Sequence, residues 1–111
     1  MKMVVAYVDP EKFDEIREDL LELGFVSISV LNASGSTPEP TVTGSYRGAK
    51  LERHLRPKAR IELVVADDAS ATVVEAITSA GGERTFVTVS AVEEAYPEGL
   101  VKSLAETADL T

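Results

Sequence analysis

From Met3 to Val8 the chain is an unbroken run of strand-forming residues, stopped by Asp9-Pro10. Asp9 is placed to cap a helix, with Pro10 as its first residue and Glu11 in the turn that favours acids. Phe13, Ile16, Leu20 and Leu23 then recur at spacings of three and four, which predicts one amphipathic helix closed by Gly24. Phe25 to Leu31 alternates apolar and small polar residues, the period of a half-buried strand. From Asn32 to Ser45 the pattern dissolves into Gly, Pro, Ser and Thr, and a long loop is expected. Ala59 to Val65 alternates again. Asp67-Asp68 is read as the cap of a second helix with Val73, Val74 and Ile77 as its stripe and Gly81-Gly82 as its stop. Thr85 to Val89 predicts a fourth strand. Pro97 and Gly99 break the tail, where Leu100 to Leu104 is read as a short helix.

The order β-α-β, long loop, β-α-β predicts an α+β fold of the ferredoxin-like βαββαβ type, an antiparallel sheet with two helices on one face. One domain spans 1–95, with 34–57 as a projecting loop, and 96–111 forms a C-terminal tail. Val26, Ile28, Val30, Ile61, Leu63 and Val65 fall on one register, while the intervening Leu31, Glu62 and Val64 are not uniformly polar. Two helices cannot cover both faces of such a sheet, so self-association is expected.

At 111 residues and 44% hydrophobic content the chain suits one core, and with no Trp and few other aromatics that core must be aliphatic. The formal charge of −8 opposes binding to nucleic acid or anionic lipid. Without Cys there is neither a disulfide scaffold nor a thiolate metal site. The apolar run in MKMVVAYVDP is too short for a secretory leader and no stretch reaches a membrane span, so a soluble cytoplasmic protein is expected. His54 is the one histidine and carries no metal assignment. No nucleophile elbow, P-loop or defended carboxylate pair is present, and the expectation is a protein that is not an enzyme.

Tyr46-Arg47-Gly48-Ala49-Lys50, followed by Leu55-Arg56-Pro57-Lys58-Ala59-Arg60-Ile61-Glu62-Leu63-Val64-Val65, resembles the YRGAE…FLPKVKIEIVV signature of PII nitrogen-regulatory signal-transduction proteins. The resemblance runs upstream without gaps through a strand ending before Pro10, the helix stop at Gly24 and a strand leading to Gly35. It implies a homotrimer with nucleotide sites in the clefts between subunits. It also implies long loops that regulate a protein partner, such as a membrane transporter or metabolic enzyme. Family members take ATP or ADP, often with 2-oxoglutarate; here an adenine nucleotide (ATP, ADP or AMP) is the expected ligand.

Carried over by position, Lys58 is an anion-binding ammonium, Glu62 and Val64 line the adenine pocket, and Ser29 keeps the hydroxyl of a family Thr. Gly35 stands at the loop base, where a missing side chain admits a ligand. Gly81-Gly82-Glu83-Arg84 replaces the family's Gly-Asp-Gly-Lys turn. The Gly81-Gly82 amides and Arg84 remain suited to phosphate, but Glu83 sets an anion there, worth about 4 kcal/mol of repulsion at about 4 Å and an effective dielectric of about 20. Ala95-Tyr96-Pro97-Glu98-Gly99 stands where the family has an Arg-x-Arg run, and Glu39 replaces a Gln, which argues against 2-oxoglutarate. Leu51 replaces the tyrosine that some members modify. Tyr46, Arg47, Lys50 and Arg53 are read as partner-contacting loop residues, although a solvated loop base explains the same charges. A constitutive interaction module that has lost its nucleotide is the competing reading.

Overall fold

The computed structural model describes residues 1–36 and 55–108. Strand β1, Lys2–Val8, is followed by a 3₁₀ turn at Pro10–Lys12 and helix α1, Phe13–Glu22. Ile16 and Leu20 form the helix's fully buried stripe, whereas Leu23 lies past the last helical residue and is exposed. The stop is a Schellman turn. Gly24 takes φ 98°, its N–H donates to the Leu21 carbonyl at 2.9 Å, and Phe25 N–H donates to the Leu20 carbonyl at 2.9 Å. The hydrophobic partner of that motif is Phe25 itself, buried in the core alongside Leu20.

Burying Phe25 delays the second strand. Val26 to Ile28 carries no strand, and β2 runs over Ser29–Gly35, later than the alternation from Phe25 predicts. Its last four residues, Asn32 to Gly35, have the composition of a loop. They are strand because their backbone pairs with β3, Arg56–Val65, from Asn32↔Ala59 to Gly35↔Arg56. Ser34, Gly35, Arg56 and Pro57 therefore belong to the sheet rather than to a loop spanning 34–57; residues 37–54 lie outside the described residues.

After β3 a 3₁₀ turn at Asp67–Ala69 leads into α2, Ser70–Gly81. The two aspartates make no side-chain cap. Asp67 Oδ1 instead meets the Met1 ammonium at 2.8 Å, whose hydrogen bond and charge hold this carboxyl below its ordinary pKa, and Asp68 Oδ1 accepts from Leu104 N–H at 3.3 Å. Val73, Ile77 and Ala80 give α2 its buried stripe. At its end Gly82 adopts φ 81°, a conformation that suits glycine. Gly81 is packed so closely on Thr85 that a Cβ there would run into Oγ1 and sit 3.2 and 3.3 Å from Thr85 Cβ and Cγ2. Strand β4 is Phe86–Ala91.

The sheet order is β2-β3-β1-β4, all antiparallel, with α1 and α2 packed on one side, which is the ferredoxin-like arrangement. Val4, Ala6, Val8, Ala59, Ile61, Leu63 and Val65 face the helices and join Ile16, Leu20, Phe25, Val73 and Ile77 in one aliphatic core. Each fully buried large side chain there contributes about 1.5–3 kcal/mol. Strand parity sends Met3, Val5, Tyr7, Lys58, Arg60, Glu62, Val64, Ser29 and Leu31 to the other face.

The tail crosses the edge of that open face. Val92 N–H donates to the Met1 carbonyl at 3.0 Å, Lys102 forms a parallel bridge with Val65, and Ala66 N–H donates to the Lys102 carbonyl at 3.0 Å. The short helix lies later than Leu100–Leu104. It is α3, Leu104–Ala108, started by a reciprocal capping box in which Ser103 N–H donates to Glu106 Oε1 at 2.9 Å and Glu106 N–H to Ser103 Oγ at 3.2 Å. Among the described residues no helix is long and apolar enough to cross a membrane.

Candidate functional site

The β2–β3 register sets Ser29 directly opposite Glu62, with Val64 two residues further along the same face. These three residues line one cavity of about 210 Å³, whose other walls include Met3 from β1 and Tyr96, Pro97 and Val101 from the tail. Glu62 does not hang free. Its Oε2 lies 2.7 Å from Arg60 Nε, while Arg60 Nη1 donates to Tyr7 Oη at 3.0 Å and the guanidinium sits 5.6 Å from the Tyr7 ring centroid. The Arg60 Nε–H is buried and not aimed at an acceptor, so its contact with Glu62 is a charge pair rather than a directed hydrogen bond. Tyr96 stands at the rim, exposed, with its hydroxyl donating to Glu94 Oε1 at 3.1 Å.

A second cluster forms at the end of the sheet where β1 ends and β3 begins. Val8 pairs with Ala59 and Tyr7 with Phe86, so Asp9, Lys58 and Arg84 converge there. Lys58 Nζ is 3.3 Å from Asp9 Oδ1, and Arg84 Nε is 3.4 Å from Asp9 Oδ2. Lys58 is only 4% exposed; the expected strand-end ammonium is folded onto Asp9 because a buried charge requires a counter-charge. Gly35 flanks it, and a Cβ at Gly35 would touch Lys58 Cγ at 3.4 Å. Asp9 does cap the Pro10–Lys12 turn by position, but its side chain makes no capping bond and is committed to the two cations.

The predicted residues thus fall into two groups. Ser29, Glu62 and Val64 share the cavity, while Gly35, Lys58 and Arg84 gather at the sheet end, with Gly81 and Gly82 on the turn that leads to Arg84. Lys58 and Glu62 are four residues apart on one face, about 13 Å along a strand, which links the two groups on a single surface. Asp9, Arg60 and the tail residues Tyr96 and Val101 are site residues that sequence reasoning misses. In sequence the tail registers only as a stretch without the family's arginines. Tyr46, Arg47, Lys50 and Arg53, like Glu39, Leu51 and His54, lie outside the described residues. Among the described residues no cluster of three or more His, Cys, Asp or Glu is placed to hold a metal ion.

Fold and site together define a ferredoxin-like α+β domain with one helix-covered face and one open, polar-studded face. The profile of the family described as nitrogen regulatory protein P-II matches residues 1–98. Similar proteins include nitrogen regulatory protein P-II of Rhizobium meliloti (strain 1021), 39% identical over 80 residues, covering 72% of this chain and 71% of the relative. The Rhodospirillum rubrum protein of the same name is 38% identical over 101 residues, covering 86% and 88%. Nitrogen regulatory protein GlnK2 of Haloferax mediterranei is 34% identical over 80 residues, covering 72% and 65%. The chain belongs to the nitrogen regulatory protein P-II family.

Proposed function

We propose that this chain is a P-II-type cytoplasmic signalling subunit that takes an adenine nucleotide on its open sheet face. In this reading a homotrimer closes the cleft, and the connection between β2 and β3 reports occupancy to a protein target such as a transporter or metabolic enzyme. The observation that carries it is the alignment, on one face of the paired strands β2 and β3, of the Lys58 ammonium with a hydroxyl and carboxylate at Ser29 and Glu62 beside the cavity. The purine amino group is matched by the Glu62 and Ser29 oxygens, and the phosphate end by Lys58, Arg84 and the Gly81-Gly82 turn. Trimer formation is supported by Leu31 and Phe86, large apolar side chains left exposed on the open side of the sheet.

Calorimetric titration with ATP, ADP and AMP tests the ligand, and sedimentation at micromolar concentration tests the assembly. Heat with at least one nucleotide, weakened in Lys58→Ala with the trimer intact, is the expected result. The second reading, a constitutive interaction module, is favoured by Asp9 already occupying both cations; absence of heat with every nucleotide selects it.

A further inference from the structure

We propose that Asp9 is a resident counter-anion that sets the charge of the ligand, so that the site prefers an adenine nucleoside monophosphate to the triphosphate. This rests on the nucleotide reading above and adds to it a ligand class and a specificity-determining residue. Both carboxylate oxygens of Asp9 are engaged, Oδ1 by Lys58 Nζ at 3.3 Å and Oδ2 by Arg84 Nε at 3.4 Å. Lys58 is 4% exposed, so the carboxylate beside it is part of how that ammonium is tolerated in the fold rather than a chance surface pairing. A phosphate reaching these cations must share them with Asp9 or displace it. In either case it sits beside a fixed negative charge.

The local balance is narrow. Asp9 stands between Lys58 and Arg84, an acid in contact with both cations, within a chain of formal charge −8. One phosphate brings roughly −1.5 to −2 charge at pH 7. Each phosphate placed there is repelled by Asp9 in a partly desolvated setting where screening is weak, and the repulsion grows with every further phosphate. The cavity end imposes no such penalty on the base, and Tyr96 at its rim offers a ring face for stacking. The site therefore keeps the base-recognising half and limits the anionic half.

The test is calorimetric titration of the full chain and of Asp9→Asn with AMP and ATP in low-salt buffer. The Asp9 side chain makes no capping bond, so an isosteric Asn removes the charge without taking a bond from the Pro10–Lys12 turn. The wild-type protein is expected to bind AMP at least tenfold more tightly than ATP. In Asp9→Asn, ATP affinity rises at least tenfold and AMP affinity rises less, erasing the preference. Wild-type binding of ATP as tight as AMP, or an unchanged preference in Asp9→Asn, overturns the role of Asp9 while leaving the nucleotide reading intact. Silence with both nucleotides in both proteins overturns the nucleotide reading and this proposal with it. Should Asp9→Asn fail to fold, Asp9→Ser is titrated in its place with the same two expected outcomes, and a wild-type order with ATP at least as tight as AMP overturns the proposal without any variant.

Discussion

Truncating the two partners of the Asp9–Lys58 pair will have unequal consequences. In Asp9→Ala the Lys58 ammonium, 4% exposed, loses the carboxylate 3.3 Å away, and breaking a buried pair from one side costs about 3–5 kcal/mol. In Lys58→Met the aliphatic stem stays in place beside Gly35, and Asp9, itself 17% exposed, keeps Arg84 at 3.4 Å. That change exchanges a desolvated charge for an apolar side chain of similar length and costs less than about 1.5 kcal/mol. The double variant should be more stable than Asp9→Ala, with a coupling of about 2–3 kcal/mol. Urea unfolding at one fixed chain concentration in phosphate-free buffer measures this, because assembly and anions both shift apparent stability. With a slope of about 1.5 kcal/mol/M, a loss of about 3 kcal/mol moves the midpoint by about 2 M. If Lys58→Met destabilises as much as Asp9→Ala, Lys58 is held by something other than Asp9 and the reasoning fails.

Three further outcomes are expected. Gly81→Ala should lose up to about 2 kcal/mol, because crowding against Thr85 at about 1–3 kcal/mol meets or exceeds the gain in helix propensity of about 1 kcal/mol; adding Thr85→Ala should recover most of it in thermal melts, and a stabilised single variant would refute the contact. Tyr96→Ala should leave the unfolding free energy within about 0.5 kcal/mol of the parent, given 77% exposure, yet weaken nucleotide binding about tenfold or more. Equal affinity would remove the ring from the site. The Asp67 carboxyl should titrate below the ordinary aspartate range by NMR, since the Met1 ammonium bonds to it and favours its charged form. A depressed folded-state pKa means this contribution is present above the unfolded value and disappears as pH falls through the folded one, so the window lies in the acid limb. Acetylating the amino terminus should return the titration to the usual range; no change would contradict the assignment.

The parts of the fold that local pattern determines were legible. Alternation from Ala59 to Val65 put Ile61, Leu63 and Val65 on one register, which the structure turns toward the helices, and the three-four spacing of Ile16 and Leu20 marked the buried stripe of α1. Composition misled where backbone pairing alone decides structure: Asn32 to Gly35 needs no apolar side chain to extend an edge strand beside β3. The Gly24 stop was readable, but not that its Schellman geometry would carry Phe25 into the core and delay β2. At the site, individual residues came from the family motif, and their grouping did not. Asp9 reads as a cap from its neighbours, and only the antiparallel register of β1 with β3 brings it to Lys58, a contact across 49 positions. The tail's part in the cavity was hidden for the same reason, since a lone bridge between Val65 and Lys102 leaves no periodic trace.

The place of β3 in the sheet has a mechanical consequence. It has neighbours on both sides, β1 and β2, whereas β2 pairs with β3 alone and is mostly exposed. That holds only as far as Ala59, where the register with β1 stops: from Lys58 back to Arg56 β3 pairs with β2 alone, so Gly35 and Arg56 stand together at the end of a two-stranded ribbon. A force on that ribbon would carry Gly35 and Arg56 together, as the two edges of one strap, rather than turn one against the other.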